Sequence, residues 1–187
     1  NVDAVVVCGT TGESATLSAQ EQLALIAHAI QYTAGHCKII AGTGSNDTAH
    51  AIDMSRAASS MGACAVLVVT PYYNKCTQSG LIAHYTAIAD AVSCPVICYN
   101  VPSRTGVDMT LETYQALSKH PNIQGVKEAG GSPAKIAKTI ETCADDFFVW
   151  SGNDDEAVGT MALGAKGLIS VLSNVRPKKT LAMIRAC

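Results

Sequence analysis

The chain has 187 residues, of which 48% are hydrophobic and 15% charged, enough for one well-packed domain and too few for two. A formal net charge of −2 with scattered Lys and Arg residues excludes a basic stripe for nucleic acid or anionic lipid, so we expect a small molecule or another subunit as partner. The longest apolar run, Ala63–Val69, is far shorter than the roughly 18 residues of a membrane helix; we expect no membrane association and, with no visible signal segment, a cytoplasmic protein.

Seven short apolar runs, rich in β-branched residues, recur along the chain and are typical of buried strands. In chain order they are Ala4–Val7, Lys38–Ala41, Ala65–Val69, Val96–Tyr99, Ile123–Lys127, Phe148–Ser151 and Gly167–Val171. A segment with helical periodicity follows each run. In the first such segment, Ser18–Thr33, Ser18 and Glu21 have the spacing of a capping box. The sequence therefore predicts consecutive βα units.

Strict alternation of strands and helices predicts parallel strands joined by right-handed crossovers, either in a doubly wound sheet or in an eight-stranded barrel. A doubly wound nucleotide-binding fold would carry Gly-x-Gly-x-x-Gly after its first strand. The first strand is instead followed by CGTTGE at Cys8–Glu13, and GTGSND at Gly42–Asp47 lacks the third glycine. Because polar residues follow nearly every strand, where barrel enzymes build their active sites, we predict a (β/α)8 TIM barrel.

The number of predicted βα units is one short of a closed eight-stranded barrel. We therefore interpret residues 1–187 as a fragment, a partial TIM-barrel catalytic domain that lacks the first βα unit and the C-terminal helical segment. The last predicted helix begins near Pro177, and no linker or low-complexity stretch divides the chain.

Cysteine and histidine are the residues that would reveal disulfides or a structural metal. The chain has eight cysteines, several of them, such as Cys8, Cys64 and Cys98, within apolar stretches, and it has no Cys-x-x-Cys pair. We expect reduced thiols in a cytosol rather than a disulfide framework. The five histidines show neither His-Glu-x-x-His nor a spacing typical of zinc sites, so we expect no metal.

Polar side chains follow the predicted strands at the end where they would converge in a barrel. They are Thr10 and Thr11, Tyr72 and Tyr73, Tyr99 and Asn100, Lys127, the tetrapeptide Ser151–Asp154, and Ser170, Ser173 and Asn174. The sequence therefore predicts that these side chains share one mouth.

Lys127 is the residue at this mouth with the most distinctive chemistry. In an apolar interior an ammonium loses hydration, its pKa falls from about 10.4 toward neutrality, and the free amine can attack a ketone to form a Schiff base. Alternation along the strand would turn Glu128 away from Lys127, toward the helices or the exit of the strand, where a structural role is expected. The alternative is that Lys127 extends from the strand end into solvent.

Imine formation needs a group that moves protons, and Tyr99 ends the strand predicted to lie beside that of Lys127. The alternative for Tyr99 is packing on a loop. Thr10 and Thr11 offer hydroxyls for a proton relay or for a carboxylate, although an ordinary turn would use the same residues. Arg104, on the loop after Tyr99, has a guanidinium suited to a substrate carboxylate or simply to solvent.

Six motifs together closely resemble the dihydrodipicolinate synthase family of class I aldolases. They are GTTGES at 9–14, TPYYN at 70–74, YNVPSRTG at 99–106, GVKEAGG at 125–131, SGND at 151–154 and GLISVLSN at 167–174. GTTGE and the lysine strand are shared with a wider superfamily, whereas PYYN with SRTG is the narrower signature. The resemblance runs along the whole chain without obvious insertions.

The resemblance implies condensation of pyruvate with aspartate semialdehyde, at the start of diaminopimelate and lysine biosynthesis. It implies a covalent Schiff base on Lys127 and no separate cofactor, with Tyr99 as the proton carrier and Thr11 as its relay. It further implies a homo-oligomer, a dimer of dimers, in which Tyr73 reaches in from the partner subunit. Arg104 would receive the semialdehyde carboxylate, and the remaining pocket-lining positions would be Thr10, Gly152 and Ile169.

Two alternatives stay open. A superfamily lyase that acts on a sugar acid, such as N-acetylneuraminate lyase or a keto-sugar-acid aldolase, would retain Lys127, Tyr99 and the GTTGE segment. Its aldehyde site should bind hydroxyls, whereas Arg104 favours a short acidic aldehyde. A non-catalytic barrel that keeps only the fold is the second alternative.

Overall fold

The computed structural model describes residues 2–187, which form one parallel sheet of seven strands in the order β1 to β7. Each strand pairs in parallel with the next. The strands are β1 Ala4–Val7, β2 Lys38–Gly42, β3 Ala65–Val69, β4 Val96–Asn100, β5 Ile123–Glu128, β6 Phe148–Ser151 and β7 Gly167–Leu168. Sequential order with parallel pairing is the arrangement of a TIM barrel, and the chain forms a partial one.

Helices connect the strands and continue after the last one. They are α1 Ala19–Thr33, α2 Thr48–Ser60, α3 Gln78–Asp90, α4 Pro102–Thr105, α5 Leu111–Leu117, α6 Pro133–Thr142, α7 Ala157–Ala162 and α8 Pro177–Arg185. The predicted capping box is confirmed, because Ser18 accepts from the Glu21 backbone N–H while the Glu21 carboxylate accepts from that of Ser18. None of the helices within residues 2–187 is long and apolar enough to cross a membrane.

All seven predicted strands are confirmed, and each starts at the predicted residue. The prediction for β7 was too long, since the strand ends at Leu168 rather than at Val171. β7 pairs with β6 over two residues only, and the backbone N–H of Val171 then donates to the Asp154 carboxylate instead of to a neighbouring strand. The Asp154 side chain therefore ends the hydrogen-bond ladder between β6 and β7, although the apolar sequence continues to Val171.

The two faces of the sheet carry different apolar clusters. Strand residues that face the helices, such as Val66, Val68 and Val126, are fully buried in the larger cluster. The alternate residues, including Leu67, Ile97 and Tyr99, form a second cluster on the concave side, which is the barrel interior. Period-two alternation thus separates the interior from the helix layer.

Gly125 in β5 permits a close approach of two strands. Its φ of +155° lies in a region that other residues rarely adopt, and a Cβ there would lie 2.0 Å from the Phe148 carbonyl oxygen in β6. The pairing of β4 with β5 also shifts register between Val96 and Ile97, next to Gly125. The glycine therefore lets β5 fit between its neighbours.

Gly125→Ala is expected to destabilise the fold by more than about 2 kcal/mol, because β5 and β6 must separate to admit the Cβ. Gly159→Ala is the matched control, since a Cβ at that position in α7 meets nothing within 4 Å. It is expected to be neutral or to stabilise by about 0.5–1 kcal/mol. Urea unfolding of both variants measures the difference, and equal midpoints would contradict this account of Gly125.

Candidate active site

The carboxyl ends of the strands border a cavity of about 1190 Å³ on the concave side of the sheet. Seven of the eight predicted site residues line it: Thr10, Thr11, Tyr99, Arg104, Lys127, Gly152 and Ile169. They come from five different strand ends or the segments that follow them. The structure therefore brings together side chains that are far apart in sequence, as the barrel prediction required.

Lys127 extends into the barrel interior and lies against Tyr99. The two residues are register partners in β5 and β4, and Nζ of Lys127 is 4.3 Å from the centroid of the Tyr99 ring. The Lys127 side chain is half-buried, so the alternative in which it extends freely into solvent does not describe it. Glu128 points to the opposite side of the strand, where it is buried, as predicted.

Burial shifts the acid–base equilibrium of Lys127. Loss of hydration lowers its pKa from the usual 10.5 to about 8. The negative charge of Asp154 opposes this shift, whereas the positive charge of Arg104 adds to it. About a tenth of Lys127 is therefore a free amine at pH 7, whereas an exposed lysine would have almost none.

Gly152 provides space for the Lys127 side chain. A Cβ at Gly152 would lie 2.8 Å from Cβ of Ala129 and 3.2 Å from Cε of Lys127. The backbone N–H of Gly152 also donates to the Glu128 carbonyl at 2.7 Å, which ties the end of β6 to that of β5. A glycine after β6 thus lets the chain pass close to the lysine stem without displacing it.

Tyr99 is 7% exposed, and burial raises the pKa of its phenol. The Arg104 charge and the neighbouring Thr10 side chain partly oppose this rise in the Tyr99 pKa. The phenol therefore holds its proton at neutral pH and can act as an acid toward a neighbouring group. Thr11, the predicted relay residue, is exposed in the 3₁₀ turn Thr10–Gly12, and Thr10 is the threonine beside Tyr99.

Arg104 lies over the cavity from the last turn of α4. The helix begins with Pro102 and ends at Thr105, and Gly106 caps it with a left-handed φ of +71° that turns the chain back. The Arg104 side chain is exposed, yet its charge reaches both Tyr99 and Lys127. A guanidinium at this height can hold a carboxylate at the entrance without entering the apolar interior.

Four of the residues predicted to share one mouth do not line the Lys127 cavity: Ser151, Asn100, Tyr72 and Tyr73. Among them, Tyr73 is the one to which the family resemblance gives a catalytic role. It is 91% exposed and has a left-handed φ of +73°. It lines a neighbouring cavity of about 830 Å³ rather than the one that holds Lys127. Within one chain, therefore, Tyr73 does not contact the amine.

Asp154 is a charged residue beside the site that the sequence indicated only as part of the segment after β6. Its carboxylate accepts hydrogen bonds from the Ser170 hydroxyl and from the backbone N–H groups of Val171 and Leu172. Although burial opposes the shift, these bonds and the Lys127 charge lower the Asp154 pKa. The residue stays ionised, fixes the turn after β7 and acts electrostatically on Lys127. Its position in the segment that follows β6 was the sequence feature that could have indicated this contact.

The assembled groups are an amine with a lowered pKa, a protonated phenol against it, hydroxyls beside the phenol and a cation above them. This set can form an imine with a ketone and move the protons that imine chemistry requires. Within residues 2–187, no group of three or more His, Cys, Asp or Glu side chains is arranged to hold a metal ion, and all eight cysteines are free.

Curated proteins match the chain over its whole length. The 4-hydroxy-tetrahydrodipicolinate synthase of Exiguobacterium sibiricum is 50% identical over 186 residues, which cover 100% of this chain and 64% of that protein. The enzyme of the same name from Geobacter sulfurreducens is 53% identical over 176 residues, covering 94% of this chain and 61% of the relative. The chain thus spans less than two thirds of the length of these curated relatives.

Solved structures of similar proteins superpose closely on the chain. Dihydrodipicolinate synthase from Aquifex aeolicus is 43% identical and has a TM-score of 0.97, covering 100% of this chain and 64% of that one. The chloride-inhibited enzyme from Acinetobacter baumannii, solved in complex with pyruvate, is 45% identical with a TM-score of 0.96, covering 99% and 64%.

The family comparison agrees with the fold and with the motifs around Lys127. The description of the matching family is "Dihydrodipicolinate synthetase family", and the match extends over residues 1–187. The chain belongs to the dihydrodipicolinate synthetase family.

Proposed function

We propose that residues 1–187 are a partial TIM-barrel catalytic domain of a 4-hydroxy-tetrahydrodipicolinate synthase. It condenses pyruvate with L-aspartate-4-semialdehyde, a reaction at the start of diaminopimelate and lysine biosynthesis. The observation that carries the proposal is the half-buried Lys127 amine, with a pKa of about 8, held 4.3 Å from the Tyr99 ring centroid in an apolar barrel interior. Relatives about 50% identical have this enzyme's name.

The proposed reaction begins with attack of the Lys127 amine on the ketone carbon of pyruvate. The carbinolamine loses water to give an imine, and removal of a methyl proton gives an enamine whose carbon bonds to the semialdehyde carbonyl carbon. Each step moves a proton, and we assign this transfer to the Tyr99 phenol, whose ring centroid lies 4.3 Å from Lys127 Nζ. The imine is a covalent link to the protein, so the reaction requires no further cofactor.

The substrate carboxylates account for the remaining site residues. We assign Thr10 and Thr11, at the start of the turn after β1, to the pyruvate side, and Arg104 at the entrance to the semialdehyde carboxylate. Gly152 and Ile169 line the cavity around the amine. The exposed position of Arg104 fits a group that receives the second substrate after the imine has formed.

We assign Tyr73 to the active site of a partner subunit, with Thr11 as the link between it and Tyr99. The 91% exposure of Tyr73 and its position outside the Lys127 cavity of its own chain support this assignment. The proposed assembly is a homo-oligomer, a dimer of dimers, in which each dimer completes two relays. A cytoplasmic location accompanies the proposal, supported by the eight free cysteines.

A superfamily lyase for sugar acids is the rival function. A sugar substrate needs free carboxylates or hydroxyls to bind its own hydroxyl groups. Asp154 is the carboxylate that acts on Lys127, and it already accepts three hydrogen bonds from the turn after β7. The exposed Arg104 cation at the entrance favours the short acidic aldehyde. Turnover of pyruvate with the semialdehyde, compared with turnover of N-acetylneuraminate and of keto-sugar acids, discriminates between the two functions.

Pyruvate with borohydride is expected to form a stable adduct on Lys127. Lys127→Arg is expected to abolish the adduct, because a guanidinium stays protonated and is no nucleophile. Lys138→Arg is the control, since Lys138 is exposed on α6 and pairs with Glu141. The sample is the longest natural polypeptide that contains residues 1–187, and peptide mass mapping locates the adduct. Modification at Lys119, Lys135 or Lys138 instead would overturn the assignment.

The rate of trapping is expected to rise with pH, with a midpoint near 8, and then to reach a plateau, because only the neutral Lys127 amine attacks. At pH 6 about 1% of it is neutral. Arg104→Ala is expected to move the midpoint to higher pH, since loss of a neighbouring positive charge favours the ammonium. It should also impair use of the semialdehyde while trapping persists at high pH.

Arg104→Lys is the control for the pH profile, because it keeps the charge and is expected to keep the midpoint near that of the unsubstituted protein. Trapping rates between pH 6 and 10 give the midpoints directly. An unchanged midpoint in Arg104→Ala would show that Arg104 does not act on Lys127, and equal damage to both half-reactions would show that it organises the whole site.

Tyr99→Phe is expected to lower kcat by about 100-fold or more, because it keeps the shape of the interior and removes the proton carrier. Tyr32→Phe is the control, since Tyr32 is 82% exposed on α1 and far from the mouth in the fold. Initial rates with pyruvate and the semialdehyde measure both variants. A near-normal rate for Tyr99→Phe would remove Tyr99 from the mechanism.

A further inference from the structure

A buried polar network lies directly behind Tyr99 and Lys127, on the helix side of β4 and β5. Asn100 follows Tyr99, Glu128 follows Lys127, and Asn100 is the register partner of Glu128. Because side chains alternate between the faces of a strand, Asn100 and Glu128 point away from the barrel interior, which Tyr99 and Lys127 occupy. Asn100 is fully buried and Glu128 is 3% exposed.

The Glu128 carboxylate accepts hydrogen bonds on both oxygens. Asn100 Nδ2 donates to Oε1 at 2.9 Å, and the Gly130 backbone N–H donates to the same oxygen at 2.6 Å. The Tyr114 hydroxyl donates to Oε2, and Nζ of Lys135 lies 3.7 Å from it. Burial and the Glu128 charge raise the pKa of Tyr114, so its hydroxyl remains a donor. The partners therefore fix the orientation of the carboxylate.

Asn100 is held equally firmly. Its Oδ1 accepts from the Met109 backbone N–H at 3.0 Å, and its Nδ2 also donates to Asp108 at 2.8 Å. Nζ of Lys135 contacts the same Asp108 carboxylate, so the connection runs through α6 and returns to Glu128. Both ends of the link between Asn100 and Glu128 are thus fixed by elements outside the sheet.

The main chain at the ends of these strands is tied to the same network. The Ala129 N–H donates to the Asn100 carbonyl at 2.9 Å. A Cβ at Gly130 would lie 2.7 Å from Glu128 Oε1, so a residue without a side chain lets the Gly130 N–H reach the carboxylate. The backbone directly after Lys127 is therefore anchored through Glu128.

We propose that Glu128 is a positioning residue for imine formation: its hydrogen bond from Asn100 fixes the ends of β4 and β5 so that the Lys127 amine stays against Tyr99. The inference rests on the proposed function, since it concerns the geometry of that same site. Misplacing reacting groups by about 1 Å can cost roughly 100-fold in rate, so the link matters even though neither residue touches the substrate.

The charged side chains that act on Lys127 are Asp154 and Arg104, both on the mouth side. Glu128 lies on the other face of β5, among the helices. Its proposed effect on the amine is therefore one of placement rather than of charge. Loss of the link should lower the plateau of the pH–rate profile for trapping and leave its midpoint in place.

The experiment compares first-order rate constants for trapping saturating pyruvate at 25 °C, a temperature at which thermal unfolding shows each variant to be folded. Asn100→Ala and Glu128→Ala are expected to lower the plateau roughly 10- to 100-fold. Glu128→Gln keeps an oxygen that accepts from Asn100, so it should retain most of the rate. Ser55→Ala is the control for lost stability. It removes the buried hydrogen bond between Ser55 on α2 and Thr43, the residue after β2, and should trap at the normal rate.

Normal trapping by both alanine variants, in a protein that traps pyruvate when unsubstituted, would overturn the positioning role alone. An equal loss in Ser55→Ala would also overturn it, because general destabilisation would then explain the effect. A shift of midpoint without a fall in plateau would show that Glu128 acts through charge. No adduct in the unsubstituted protein would overturn the proposed function itself. If Glu128→Ala does not fold, the trapping rates of Asn100→Ala and Glu128→Gln are compared instead. A lowered rate in Asn100→Ala with a retained rate in Glu128→Gln supports the positioning role, and equal rates overturn it.

Discussion

The parallel pairing of β4 with β5 is the interaction on which the site depends. It places Tyr99 opposite Lys127 on the concave face and, one residue further, Asn100 opposite Glu128 on the helix face. A slip of one residue would exchange the faces, moving the lysine among the helices and the carboxylate into the apolar interior. The pairing of Tyr99 with Lys127 in the interior and the polar network behind it therefore both follow from the register between β4 and β5.

Burial of Lys127 disfavours its charged form and so increases the fraction of free amine. Loss of hydration lowers the lysine pKa to about 8 and raises that of the tyrosine, so a free amine and a protonated phenol coexist at neutral pH. Asp154 keeps the shift from going further, and Arg104 acts in the opposite sense. A nucleophile and a proton donor in contact are what imine formation requires.

The predicted strands agree with the structure because each is a short apolar run whose burial does not depend on detail elsewhere. β7 was predicted too long, since Asp154, which is 17 residues before Val171, captures the N–H that a longer ladder would have used. The link between Asn100 and Glu128 spans 28 residues, and neither its existence nor its partners follow from local spacing. The direction of Glu128 did follow, because alternation along a strand is local.

The sequence by itself determined the order of strands and helices, the strand on which Lys127 lies and the set of residues at the strand ends. Local periodicity and family motifs contain that information. Only the tertiary structure decided that Thr10 lies beside Tyr99, that Tyr73 lies outside the cavity that holds Lys127, and that the Asp154 charge acts on Lys127. Distance and desolvation control these relations, and both arise only when separate segments of the chain are packed together.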